Sequence, residues 1–131
     1  MKIDHIGYAV KNIEKACGPL ELLGFVFPHP VVEDADRNVS IRFGKKDGYQ
    51  IELVAPLGEG GSPVDTLLHC VGPTSYHICY RSDNLDRDIK EMERKGFKVI
   101  VPSARALALG GRNVVFMKNR EIGLIELVES L

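Results

Sequence analysis

The chain has 131 residues, 44% hydrophobic and 27% charged, with a formal net charge of −1, which suits one compact domain with a real apolar core. Neither a basic stripe nor an aromatic-basic interleave is present, which argues against nucleic acid or a membrane surface as partner. No apolar run approaches the roughly 20 residues that span a bilayer. The opening Met1-Lys2-Ile3-Asp4-His5 enters a strand pattern directly, without the apolar stretch and cleavage site of a signal peptide. Cys17, Cys70 and Cys79 are odd in number and match no zinc spacing, so they read as reduced, small buried hydrophobes of a cytoplasmic protein.

Residues 3–10 alternate and are rich in Ile, Tyr and Val, which predicts a strand. Asn12 is a good helix N-cap, and Ile13, Ala16, Cys17, Leu20 and Leu23 follow at helical spacing until Gly24 supplies a stop. Strands are expected near 25–28, 38–44 and 48–54. Residues 55–73, rich in Gly and Pro, read as a connection with Leu67-Leu68-His69-Cys70 on a short helix. A strand over 75–81, an N-cap region at Ser82-Asp83 and a helix with Leu85, Ile89 and Met92 on one face come next. Gly96 ends that helix, and strands follow near 97–101, 112–117 and 122–128.

The order βαβββ thus occurs twice, and the residues repeat with it. Asp4-His5-Ile6-Gly7-Tyr8 matches Tyr76-His77-Ile78-Cys79-Tyr80, and Leu23-Gly24-Phe25 matches Lys95-Gly96-Phe97. Arg37-Asn38-Val39 matches Arg112-Asn113-Val114, and Ile51-Glu52-Leu53-Val54 matches Ile125-Glu126-Leu127-Val128. The expected class is α+β: a first module over 1–56, a linker over 57–73 and a second module over 74–131. Helices are too few for a doubly wound sheet. Two such modules form one domain by joining their sheets into an open barrel-like cup.

The repeat puts His5 and His77 on the first strand of each module and Glu52 and Glu126 on the last. All four stand among apolar neighbours, and a glutamate is almost never fully buried unless paired or liganded. Alternation turns Ile51 and Leu53 to one face and Glu52 to the other, and likewise Ile125 and Leu127 against Glu126. Two imidazoles and two carboxylates make a first shell for one divalent Zn, Ni, Co, Fe or Mn ion. Other features carry less: His29 between Pro28 and Pro30 reads as a loop residue and His69 as structural, while Tyr8 and Tyr80 read as packing. Lys90, Glu91, Glu93, Arg94 and Lys95 read as a solvated helix face. Gly110-Gly111-Arg112-Asn113 is too short a glycine signal for a nucleotide loop but could approach a ligand.

At these residues the chain resembles the vicinal oxygen chelate superfamily, which includes glyoxalase I, methylmalonyl-CoA epimerase, extradiol dioxygenases and bleomycin resistance proteins. The segments are Asp4-His5-Ile6-Gly7-Tyr8-Ala9-Val10, Gln50-Ile51-Glu52-Leu53-Val54-Ala55-Pro56-Leu57, Tyr76-His77-Ile78 and Gly123-Leu124-Ile125-Glu126-Leu127-Val128-Glu129. The resemblance implies a glyoxalase-like fold, a homodimer, and metal ligands at His5, Glu52, His77 and Glu126. It is nearest to the epimerases and glyoxalase I-like proteins, and so implies an enzyme, a metal-dependent isomerase or lyase. Such an enzyme removes a proton beside the carbonyl of a thioester or glutathione hemithioacetal, with Glu126 or Glu52 as base. One departure stands out: the epimerases carry a further glutamate on the strand before the third ligand, and here Arg37-Asn38-Val39-Ser40-Ile41-Arg42-Phe43 offers no carboxylate. The alternatives are a small-molecule binding or resistance protein without catalysis, which commonly lacks the ligands, and an Fe²⁺ oxygenase, which typically wants two histidines and one carboxylate.

Overall fold

The structure is a computed structural model describing residues 1–131. The chain divides into two compact units, Ile6–Tyr76 and a second made of Met1–His5 with His77–Leu131. The strand β1 (Ile3–Ala9) and the strand β5 (Thr74–Ser82) both cross that division.

In the Ile6–Tyr76 unit, β1 leads into the helix α1 (Ile13–Leu22), then β2 (Val32–Asp34), β3 (Val39–Lys46), β4 (Tyr49–Pro56) and the short helix α2 (Asp65–Cys70). The strand order is β2-β3-β4-β1. β1 runs parallel to β4, with Gly7 opposite Glu52, and β3 runs antiparallel to β4, with Phe43 opposite Glu52. α1 begins where the sequence predicts: the Asn12 Oδ1 accepts from the Lys15 N–H at 2.9 Å. The chain leaves the helix through Gly24 at φ +102°, a left-handed conformation that glycine adopts without strain. Val10, Ile13, Cys17, Ile51, Leu53 and Ala55 form the core between helix and sheet. Glu52 lies on the other face of its strand, as alternation requires.

The strand expected near 25–28 is not formed. Only an isolated bridge joins Val26 to Lys45, and the second strand of this unit is β2, further along. The cause is local: Pro28 and Pro30 lack the N–H groups a ladder needs, so pairing lapses and resumes at Val32. Phe27 instead lays its ring over Gly44, where any added Cβ would come within 2.6 Å of it.

The second unit repeats the plan. β5 leads into α3 (Leu85–Arg94), then β6 (Lys98–Ala106), β7 (Arg112–Asn119) and β8 (Gly123–Glu129), with the order β5-β8-β7-β6. β5 is parallel to β8, with Cys79 opposite Glu126, and β7 is antiparallel to β8, with Phe116 opposite Glu126. The N-cap is Asn84, which accepts from the Arg87 N–H at 3.0 Å, rather than Ser82-Asp83. Ser82 is still strand, and its hydroxyl donates to Asp88 at 2.6 Å. β6 runs five residues beyond the expected end: it crosses Pro102 through two register shifts, which an edge strand tolerates because its outer N–H groups have no ladder to serve. Leu85, Val115, Met117, Ile125 and Leu127 make the core.

Both repeats therefore carry the expected βαβββ order, and the charged face of α3 is exposed, as are His29 and His69. Tyr8 and Tyr80 pack against the two cores. Of the three free cysteines, Cys17 and Cys79 are buried, but Cys70 is exposed at the end of α2, contrary to the expected burial. No helix is long and apolar enough to cross a membrane. Leu127 is fully buried, so Leu127→Ala is expected to destabilise the chain by about 2–5 kcal/mol. A denaturant titration would show this as a lower midpoint at unchanged m-value.

Candidate metal centre

Three of the four sequence-predicted ligands fall in one unit: His5 on β1, His77 on β5 and Glu126 on β8. Their exposures are 1%, 4% and 3%. Both imidazoles turn Nε2 toward the same carboxylate: His5 Nε2 lies 3.8 Å from Glu126 Oε1, and His77 Nε2 lies 3.5 Å from Glu126 Oε2. The two rings meet edge to face, with centroids 5.7 Å apart. Glu52, in the other unit, is 5% exposed and holds the same ladder position there as Glu126 does here.

The donor set fits a divalent ion. Bonds of about 2.0–2.2 Å to one centre place tetrahedral ligand atoms about 3.3–3.6 Å apart. The separation of 3.5 Å from His77 falls inside that range, and the 3.8 Å from His5 lies just above it. Imidazole nitrogen with carboxylate oxygen suits Zn, Ni, Co, Fe or Mn and does not select Cu(I).

Asp4 orients the first imidazole. Its Oδ2 accepts from His5 Nδ1 at 2.8 Å, and its Oδ1 accepts from Arg81 Nε at 2.8 Å. Burial pushes the Asp4 carboxyl upward, but the hydrogen bonds from His5 and Arg81 outweigh it and hold the group at about 2. The carboxylate therefore stays ionised and takes the Nδ1 proton in its hydrogen bond, which turns the Nε2 lone pair toward Glu126. Asp4→Asn keeps the shape but loses the charge, and is expected to weaken metal affinity about 10–100-fold in a chelator competition.

Sequence reasoning missed Asp4, Cys79 and Phe116. Phe116 packs edge-on against His77 at 5.2 Å between centroids. Cys79 is fully buried, and burial pushes its thiol up to about 12. The signal for Phe116 lay in the repeat, since Phe43 stands opposite Glu52 as Phe116 stands opposite Glu126. The Gly110–Asn113 loop is held by protein: Arg112 donates to the carbonyls of Leu109 and Glu129, each at 3.0 Å, and Asn113 binds the Glu129 carboxylate. Those bonds from Asn113 lower the Glu129 pKa.

Residues 4–116 match the profile of the Glyoxalase/Bleomycin resistance protein/Dioxygenase superfamily. The ethylmalonyl-CoA/methylmalonyl-CoA epimerase of Cereibacter sphaeroides is 27% identical over 131 residues, 96% of this chain and 96% of that protein. The crystal structure of methylmalonyl-CoA epimerase from Mycobacterium tuberculosis superposes with a TM-score of 0.84 at 26% identity, over 98% of this chain and 87% of that one. The Streptomyces coelicolor epimerase, solved in complex with 2-nitronate-propionyl-CoA, superposes with a TM-score of 0.85 at 24% identity, over 99% and 94% of the two chains. The glyoxalase-like fold expected from the resemblance is the one these structures share.

Proposed function

The chain belongs to the glyoxalase/bleomycin resistance/dioxygenase superfamily, and from that membership we propose that it is a metal-dependent isomerase that removes and returns a proton beside the carbonyl of an acyl-CoA thioester. The observation that carries this reading is the convergence of His5, His77 and Glu126 in one buried cluster. Glu52 is proposed as the fourth ligand, because the repeat sets it opposite Gly7 and Phe43 as Glu126 is set opposite Cys79 and Phe116. The thioester class is supported by the relatives named as acyl-CoA epimerases and by the CoA analogue held in the Streptomyces coelicolor structure.

A divalent ion bound there would supply Lewis-acid stabilisation of the negative charge that develops on the substrate oxygen. The chain's residues do the rest. Asp4 fixes the orientation of the His5 ring through Nδ1 and leaves Nε2 as its ligand atom. Phe116 covers one side of His77 and helps exclude water. One carboxylate, Glu126 or Glu52, takes the proton from carbon, and the epimer forms when the other delivers a proton to the opposite face.

A second reading has its own support. On β3, the residues sharing the Glu52 face are Val39, Ile41, Phe43 and Lys45, none of them acidic. With both carboxylates drawn from the ligand set, the site also suits a lactoylglutathione lyase-like reaction on a glutathione hemithioacetal. Purified protein assayed for metal content, then for α-hydrogen exchange with methylmalonyl-CoA and for turnover of methylglyoxal with glutathione, separates the two. Exchange with the thioester alone supports the isomerase. Metal-loaded protein inert toward both substrates would favour a binding protein and sink the enzymatic proposal.

A further inference from the structure

The two halves agree in imidazole and carboxylate but differ at one point beside them. In the parallel ladder of the first repeat the residue opposite Glu52 is Gly7, which has no side chain. In the second repeat the residue opposite Glu126 is Cys79. Opposed residues of neighbouring strands project to the same face, and residues two apart on one strand do as well. The Cys79 thiol therefore shares a face with Glu126 and with His77. It is fully buried, and its Sγ lies within 4.8 Å of the donor atoms of His5 and Asp4. Hydrogen bonding to both His5 and Glu126 shapes its surroundings.

A carboxylate has about four lone-pair sites and so can accept from a neighbouring strand while facing other groups. A donor on the neighbouring strand selects which way its oxygens turn. We propose that Cys79 is a positioning residue of the metal centre, its S–H donating to the Glu126 carboxylate and holding that group toward His5 and His77. The inference rests on the metal reading above. Its effect belongs at the lower end of the range for groups that orient ligands, because S–H is a weak donor.

The test titrates metal-free wild type, Cys79→Ala and Cys79→Ser with Co²⁺, following the visible absorption of the bound ion and competition with a chromogenic chelator. Circular dichroism of each metal-free variant serves as the folding control. The expected result is a Kd about tenfold higher in Cys79→Ala, with a shifted Co²⁺ band, and recovery to within about threefold of wild type in Cys79→Ser, which keeps a donor. Should Cys79→Ala fail to fold, Cys79→Val, which fills the space without a donor, is read by the same criteria. Wild type that takes up no Co²⁺ overturns the metal reading and this inference with it. Wild type that binds Co²⁺ no differently from the donor-less variant, in affinity and spectrum, overturns the role of Cys79 alone.

Discussion

Glu126→Gln is expected to yield a folded protein whose proton-exchange rate has fallen by about 10²–10⁴-fold, the usual contribution of a positioned acid or base. Glutamine keeps the volume and one carbonyl oxygen, so the packing against Phe116 and the apolar neighbours on β8 survives. The lost property is the basic oxygen that receives the proton. Glu126 is the stronger candidate of the two glutamates, because it lies between Nε2 of His5 and Nε2 of His77. Glu52→Gln made in parallel ranks the pair: the variant with the larger fall in kcat at equal metal content has lost the base. Incorporation of deuterium from solvent at the substrate α-carbon is the measurement. Full exchange in Glu126→Gln that still binds metal would remove Glu126 from the base role.

The parts of this fold that depend on near neighbours were legible in the residues. Asn12 caps α1 because an Asx side chain satisfies a helix N–H three residues on, and Gly24 ends the helix with a left-handed turn. His5, Glu52, His77 and Glu126 stood out because each interrupts an apolar strand, and each has a counterpart in the other half. Non-local pairing was harder to read. β2 is three residues long, too short to show alternation, and its place depends on two prolines that halt the chain before it. Phe116 reaches the candidate site only through a register that sets β7 against β8. Asp4 is hidden in the sequence for a different reason. Side chains of adjacent strand residues ordinarily point apart, yet Asp4 bonds the ring of His5, with Arg81 holding its other oxygen.

Metal removal is expected to be the most visible single change in stability. An ion that binds only the native state stabilises it by about 2.7 kcal/mol at a free concentration of roughly 100 times its Kd. For a chain of this length that is about 10 °C in Tm. The ion would tie together His5, His77 and Glu126, which lie in one unit. Chelation should therefore lower Tm by about that amount, and readdition of Zn, Ni, Co, Fe or Mn should restore it in proportion to affinity. His77→Ala provides the decisive comparison. It deletes an imidazole that also packs against Phe116, so its metal-free Tm falls for reasons of packing alone. The informative quantity is thus the difference in Tm with and without metal, not Tm itself. That difference should vanish in His77→Ala, because losing a ligand costs more than the roughly 100-fold upper range seen for groups behind the ligands. A calorimetric scan in which His77→Ala keeps the full metal-dependent shift would show that the ion sits elsewhere in the chain.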